Sequence, residues 1–364
     1  MKSIVYRSGV AGADNLSAPA LANLLLQALL DADETIAAGP LPLLEEELIA
    51  KKLEDAAAFV GLAEPVDGGE LFEKLRSLGW LRRGGSEVGY QLAPQVLKAL
   101  ELRALRGLLS PPIRRGGSWP RSNGRGPHEP NGAEEAWRWG EPLRLDAAAT
   151  LKAALPRAVD DLRLDDLRVR AGEGGRRLAV ALLLDCSHSM VLYGVDRFAP
   201  AKRAALALAY WVRAGGGWLQ AYCIHDRADP VSEERLPFVR VLPSHTNTAA
   251  ALARAHEWLK RRPAEERVAI LITDGKPTAV ETASGEIYKN AWGSDPLIKK
   301  QTLAKAVRLR RLGAELQIYL LSKDAEAQSF NSELARRARG RLVLTDEAGL
   351  GLRILNNLGE LRST

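Results

Sequence analysis

Leu178-Ala179-Val180-Ala181-Leu182-Leu183-Leu184-Asp185-Cys186-Ser187-His188-Ser189 sets a continuous apolar run directly against a turn of oxygen donors. A short, unbroken apolar run fits a strand covered on both faces, as in a parallel sheet. The turn after it offers one carboxylate and two hydroxyls, all hard ligands. Such a set suits a small divalent cation such as Mg2+, which takes oxygen donors in near-octahedral geometry and keeps water-filled positions. Neither serine is flanked by glycine as a nucleophile elbow requires, so the turn reads as a metal holder.

The chain beyond this point repeats the alternation. Near-continuous apolar runs at 268–273 and 316–321 are further buried strands, with 218–224, 238–242 and a last short one at 341–344 as additional candidates. Helical spacing separates them, first through Phe198, Ala201, Ala205, Leu208, Trp211 and Val212, and then through Leu252, Ala255, His256 and Leu259. Leu303, Val307 and Leu312 mark another helix, and 325–339 and 350–358 close the set. Strands alternating with amphipathic helices imply an α/β fold with a central, mostly parallel sheet.

The N-terminal third reads differently. Leu21, Leu24, Leu25, Leu29 and Leu30 form a helical stripe, and a second helix is expected over 44–59. From Glu70 a short helix leads to Trp80-Leu81, a Gly84-Gly85 turn, Tyr90-Gln91-Leu92 and a helix from Pro94 to Leu109. The arrangement fits either a winged-helix-like segment over 70–109 or plain helical packing with a β-turn. Residues 1–110 therefore form a smaller, mainly helical domain, and 111–136 a linker rich in Pro, Gly and Arg. Residues 137–364 hold a lead-in and the α/β domain, whose core is 168–360.

In open α/β sheets ligands sit beyond the carboxyl ends of the strands. Besides Asp185, Ser187 and Ser189, two other segments bring donors there: Ser244-His245-Thr246-Asn247-Thr248 before a helix, and Thr273-Asp274-Gly275 after a buried strand. The D-x-S-x-S turn, the later Thr and the T-D-G together resemble the metal-ion-dependent adhesion site (MIDAS) of von Willebrand factor type A (VWA) domains. That resemblance implies a Rossmann-like VWA fold with Ser187 and Ser189 bound directly to the ion. Asp185 and Asp274 would bind directly or through water, and Thr246 would be the ligand that responds to state, with Thr248 as its competitor. The implied ion is Mg2+, with Mn2+ or Ca2+ as substitutes, and His188 and His245 stand at its rim. Upstream, Trp139-Gly140-Glu141-Pro142-Leu143-Arg144-Leu145-Asp146 with Thr150-Leu151 resembles the lead-in of a bacterial group associated with MoxR-type or magnesium-chelatase-type AAA+ ATPases.

The function implied is a non-enzymatic adaptor or co-chaperone that takes a partner's Asp or Glu through the cation, the partner being an AAA+ ATPase. The chain has no phosphate-binding G-x-x-x-x-G-K-[ST] of its own. Binding of RNA or DNA through the N-terminal segment and the basic linker is the alternative. The balance of 46% hydrophobic and 26% charged residues over 364 is that of a globular protein, and a net charge of +6 does not itself call for nucleic acid. Residues 18–30 are too short to span a bilayer, and charges at Lys2, Arg7 and Asp14 interrupt any leader-like run, so no membrane partner and a cytoplasmic location are expected. Two cysteines, Cys186 and Cys223, cannot make a disulfide framework and read as buried thiols in a reducing compartment.

Overall fold

The computed structural model describes residues 16–30, 46–60, 66–83, 90–109, 134–136, 168–170, 177–192, 195–264, 266–292 and 294–363. Helices α1 (Ala18–Leu30), α2 (Glu46–Val60) and α3 (Gly68–Ser77) come first. Asp67 caps α3 by accepting from the Glu70 amide at 3.0 Å. Gly68 lets α3 approach α2, since a Cβ there would lie 2.0 Å from the Ala50 carbonyl oxygen. An antiparallel hairpin, β1 (Leu81–Arg83) and β2 (Tyr90–Leu92), leads into α4 (Pro94–Leu109). The 70–109 segment is thus helix, hairpin and helix, closed by an edge-to-face contact of Phe72 and Tyr90 with centroids 5.0 Å apart.

β3 (Glu134–Ala136) pairs antiparallel with β4 (Arg168–Arg170). The last three residues of the expected linker are therefore strand, because pairing satisfies backbone groups that a tether leaves to water. The rest of the linker and the lead-in at 139–151 lie outside the described residues.

The α/β part follows in order: β5 (Leu178–Asp185), α5 (Phe198–Ala214), β6 (Trp218–Ile224), β7 (Ala228–Val231), α6 (Thr248–Lys260), β8 (Glu266–Thr273), β9 (Ala279–Glu281), β10 (Ile287–Lys289), α7 (Pro296–Arg311), β11 (Glu315–Leu320), α8 (Ala325–Ala338), β12 (Arg341–Leu344) and α9 (Leu350–Ser363). Six strands form one sheet in the order β12-β11-β8-β5-β6-β7, parallel throughout except for β7 at the edge. β5 is central and buried at every position. Its pleat sends Leu178, Val180, Leu182 and Leu184 to one core and Ala179, Ala181 and Leu183 to the other.

Two expectations fail here. The 238–242 stretch is not a strand: a 3-10 helix over Glu233–Phe238 precedes it, and Val239, Val241 and Leu242 are buried without pairing. The edge position is taken by β7, which carries Pro230 opposite Tyr222, a place where a missing amide is tolerated. Cys186 and Cys223, expected as free thiols, are joined in a disulfide. The parallel register sets Leu184 against Cys223, so Cys186, two residues on, faces the same side with its Cα 5.9 Å from that of Cys223. The pairing removes cysteine usage as an argument for a reducing compartment. Among the described residues no helix is long and apolar enough to cross a membrane.

The N-terminal helices and the sheet share one core. α5 is buried almost around its circumference, from Ala201 to Val212, because the sheet covers one side and α1 and α4 the other. Lys202, itself buried, donates to the Leu29 carbonyl at the end of α1. Arg213 near the end of α5 bridges Glu101 on α4 and Glu233, the latter at 2.7 Å.

Glu101 is fully buried, and burial lifts its carboxyl to about 7, with Arg213 and Lys98 opposing the rise and Glu233 adding to it. The folded value lies above the unfolded one. The stability this contributes is therefore complete below about pH 4.5 and is lost as pH rises through about 7. Glu101→Gln removes the titration. Its stability relative to wild type, read from thermal midpoints, should climb between pH 5 and pH 8, by on the order of 2 kcal/mol at most. A difference that stays flat across that range would show that the carboxyl does not titrate there.

Candidate metal centre

Three segments converge at the carboxyl end of the sheet. β5 delivers Asp185 as its last residue, fully buried, and the chain turns at once through a 3-10 helix, His188–Val191. Asp185 Oδ1 accepts from the Ser187 amide at 3.0 Å, which folds the turn back on the strand end. Ser187 Oγ lies 3.1 Å from Ser189 Oγ, and Ser189 Oγ donates to Asp274 Oδ1 at 2.8 Å. Thr246 Oγ1 reaches Asp185 Oδ1 at 3.5 Å. All five residues singled out in the sequence, Asp185, Ser187, Ser189, Thr246 and Asp274, thus lie in one connected cluster.

Thr246 and Thr248 stand on either side of the residue that caps α6. α6 is capped by Asn247, whose side chain accepts from the Ala250 amide at 3.0 Å while its Nδ2 donates to the Asp226 carbonyl at 2.9 Å. Neither threonine is needed as the cap. Thr248 is the first helical residue, whereas Thr246 precedes the cap and turns its hydroxyl to Asp185.

Thr273 belongs to a donor segment marked in the sequence, whereas the other contributors escaped the sequence reading. Thr273 Oγ1 donates to Asp185 Oδ2 at 2.6 Å, a role open to the hydroxyl that ends β8 beside Asp274. Thr278 holds the Thr246 backbone on both sides: its Oγ1 accepts from the Thr246 amide, and its own amide donates to the Thr246 carbonyl, each at 3.0 Å. Arg197 places Nη1 3.7 Å from Asp274 Oδ2 while its Nε donates to the Leu321 carbonyl. Asp226 receives the His245 amide and Lys289, which sets the far side of the loop. His188 is exposed and His245 is half-buried.

The electrostatics are those of two carboxylates crowded out of water. Burial raises the Asp185 carboxyl to about 6, the Asp274 charge adds to the rise, and hydrogen bonds from Ser187 and Thr273 work against it. Asp274 is raised as well, by burial first, with Ser189 and Arg197 opposing. Neutral hydroxyls stabilise a carboxylate without cancelling its charge, so the pair favours a cation. The available donors are all oxygen, which fits a hard divalent ion and not a thiolate- or imidazole-bound one. Among the described residues no group of three or more His, Cys, Asp and Glu could hold a metal, so hydroxyl donors would have to complete any shell here.

The α/β part of the chain has counterparts. Residues 178–358 match the family model for the vWA domain of Rv0959-like proteins. The C-terminal part of this chain is a vWA domain. Across 328 residues, 85% of its length, the chain is 32% identical to the uncharacterized protein Rv0959 of Mycobacterium tuberculosis, and equally to Mb0984 of Mycobacterium bovis. It spans about half the length of these curated relatives, 47%. Solved structures similar to it include the PilB minor pilin of Streptococcus sanguinis, 13% identical with a TM-score of 0.41 over 54% of this chain and 64% of that one. The vWF domain of the pilus tip protein Mfa5 of Porphyromonas gingivalis is 12% identical, with a TM-score of 0.39 over 51% of this chain and 95% of its own.

Within the vWA domain Asn247 has the most clear-cut structural duty. Asn247→Ala removes the α6 cap and leaves the Asp226 carbonyl without its side-chain donor. It should cost about 1–2 kcal/mol, a thermal midpoint lower by about 2–4 °C for each kcal/mol in a domain of this size. An unchanged midpoint would show that another group caps the helix.

Proposed function

We propose that this chain is a metal-dependent protein-interaction module of the MIDAS type. Ser187, Ser189 and Thr246 hold a divalent cation, Mg2+ or in its place Mn2+ or Ca2+, with Asp185 and Asp274 bound directly or through water. An open coordination position takes an Asp or Glu of a partner protein. In this reading the partner is a MoxR-type AAA+ ATPase, and the chain serves it as adaptor or co-chaperone without catalysing a reaction itself.

The observation that carries the proposal is the hydrogen-bonded cluster of three hydroxyls around two buried carboxylates, both held above the usual carboxylate range. The serines support a ligand role over a nucleophilic one, since Ser187 Oγ faces Ser189 Oγ and Ser189 Oγ is committed to Asp274. The nucleic-acid alternative loses ground, because α4 is used to dock the N-terminal helices on α5, burying Glu101 there.

Mg2+ is expected to raise the thermal midpoint of the purified protein and EDTA to reverse it. At a hundredfold excess over Kd the gain is about 2.7 kcal/mol. Asp185→Ala and Thr246→Ala should abolish the response and Thr248→Ala should leave it. A wild-type midpoint indifferent to Mg2+, Mn2+ and Ca2+ would remove the metal from the proposal. Retention of a purified MoxR-type ATPase by the wild type with Mg2+, but not by Asp185→Ala or in EDTA, tests the partner.

A further inference from the structure

The donor cluster occupies one edge of the sheet, and the opposite edge is strongly basic. β5, β8, β11 and β12 are parallel, so the helices between them run back, and α6, α7 and α8 all end at the amino edge. The stretches 257–262, 305–311 and 333–339, which form these ends, hold ten basic residues against two acidic ones. That is a net +8 in a chain whose total is +6, so the remainder of the chain is net negative. A helix end presents only about half an elementary negative charge. Three such ends offset about one and a half of the eight positive charges and leave most of them unexplained.

The three ends lie together. Arg308 Nη2 sits 3.6 Å from Glu257 Oε1, which joins α7 to α6 at the level of their last turns. A Cβ on Gly340 would lie 1.9 Å from the Leu316 carbonyl oxygen, so the residues after α8 press against the start of β11, just beyond the end of α7. Arg341 Nε, next along, meets Glu315 Oε1 at 2.7 Å. Both acids of the three stretches are already engaged, Glu257 by Arg308 and Glu333 by Lys299 and Arg337. Lys260, Arg261, Arg310, Arg311, Arg336 and Arg339 are exposed, and among the described residues none of them forms a salt bridge. Arg339 adds a separate sign. It closes α8 in the left-handed region at φ 53°, the one non-glycine residue so placed among the described residues. That position favours glycine, so the charge is held here against the preference of the backbone.

We propose that this end of the α/β part binds the phosphate backbone of duplex nucleic acid without reading its sequence. Five of the six cations without a salt bridge are arginines, whose planar forks match pairs of phosphate oxygens. Packed helices lie about 8–10 Å apart, so the three ends form a row of roughly 20 Å. About twelve phosphates of a duplex fall within that length. None of the eight large apolar side chains exposed among the described residues lies on these stretches. A lipid interface calls for apolar residues that insert, and a protein partner for an aromatic or aliphatic anchor. Single-stranded nucleic acid calls for rings on which its bases stack. A charged row without such residues fits the phosphates of a rigid duplex. This surface lies across the sheet from the ion site and is separate in sequence from the 70–109 segment and the linker.

The test is fluorescence anisotropy of labelled duplexes of about 20 base pairs and arbitrary sequence, one DNA and one RNA, titrated with the whole purified chain. Binding on the order of micromolar at about 50 mM salt should weaken steeply by about 200 mM, as counterion release requires. Arg310→Glu combined with Arg311→Glu should weaken binding about tenfold or more and flatten the salt slope by about two. Arg310→Lys combined with Arg311→Lys should retain most of it. These side chains are exposed and hold no salt bridge, so the variants should fold as wild type does, checked by circular dichroism. Asp185→Ala and EDTA should leave binding unchanged, which separates this surface from the ion site. No binding to either duplex, or binding that the Arg310 and Arg311 reversals leave unchanged, overturns the proposal. Loss in Arg82→Glu with Arg83→Glu instead would assign the contact to the exposed end of β1 and overturn it as well. So would tighter binding to the single strand, or sedimentation with phosphatidylserine vesicles by a chain that ignores both duplexes.

Discussion

Two carboxylates buried side by side at the end of a parallel sheet set the terms for the whole α/β half. Asp185 cannot leave its position, because it is the last residue of a strand packed on both faces and paired on both edges. Asp274 arrives from β8, the neighbouring strand, so the register that builds the core also brings the two charges together. The fold meets the desolvation cost in part, with each Asp185 oxygen given a donor from a different segment: Ser187 and Thr246 at Oδ1, Thr273 at Oδ2. Those donors come from three separate segments, so satisfying the carboxylate also fixes those segments relative to one another. Charge is the remainder, and hydroxyls do not cancel it.

Behind the cluster stands a layer whose only task is placement. Asn247 turns a helix start into a fixed support, Thr278 holds the Thr246 backbone on both sides, and Asp226 ties that loop to the hairpin through Lys289. On the other flank the Cys186–Cys223 disulfide fastens the serine turn to β6, and the Cys186 carbonyl accepts the Leu242 amide. Site residues hold their geometry when their supports are rigid, and here the supports are a helix cap, a covalent link and two loop residues, Thr278 and Asp226, each tied by hydrogen bonds.

The parts of this arrangement legible in the sequence are those where burial leaves a one-dimensional trace. β5, β8 and β11 are buried on both faces, so they appear as unbroken apolar runs, and the donors at their ends could be placed on one sheet edge from topology alone. The edge strand left no such trace, since β7 is four residues long and contains Pro230. The run at 238–242 misled because coil packed over a sheet edge needs apolar residues as much as a strand does. The β9–β10 hairpin was hidden by its half-exposed, mixed composition. Cys186–Cys223 depended on strand register, which no spacing of two cysteines reveals. Asn247 lies among hydroxyl residues that can also cap a helix, and only the Ala250 amide shows that its side chain is the cap.

The last constraint joins the two halves of the molecule. α5 begins beside the cluster, where Asp196 receives the Phe198 and Ala199 amides and Arg197 faces Asp274. It ends at the N-terminal helices, where Arg213 meets Glu101. Between these points nearly every side chain is buried, so the helix has no solvent face along which to slide or roll without disturbing a core. It therefore acts as a strut that fixes the orientation of the N-terminal helices relative to the serine turn. Glu101 makes that orientation specific: a purely apolar α4–α5 contact would tolerate small slips, whereas a buried carboxylate finds its guanidinium at one register only. The N-terminal helices are thus part of the frame that presents the vWA site, through a helix both halves require.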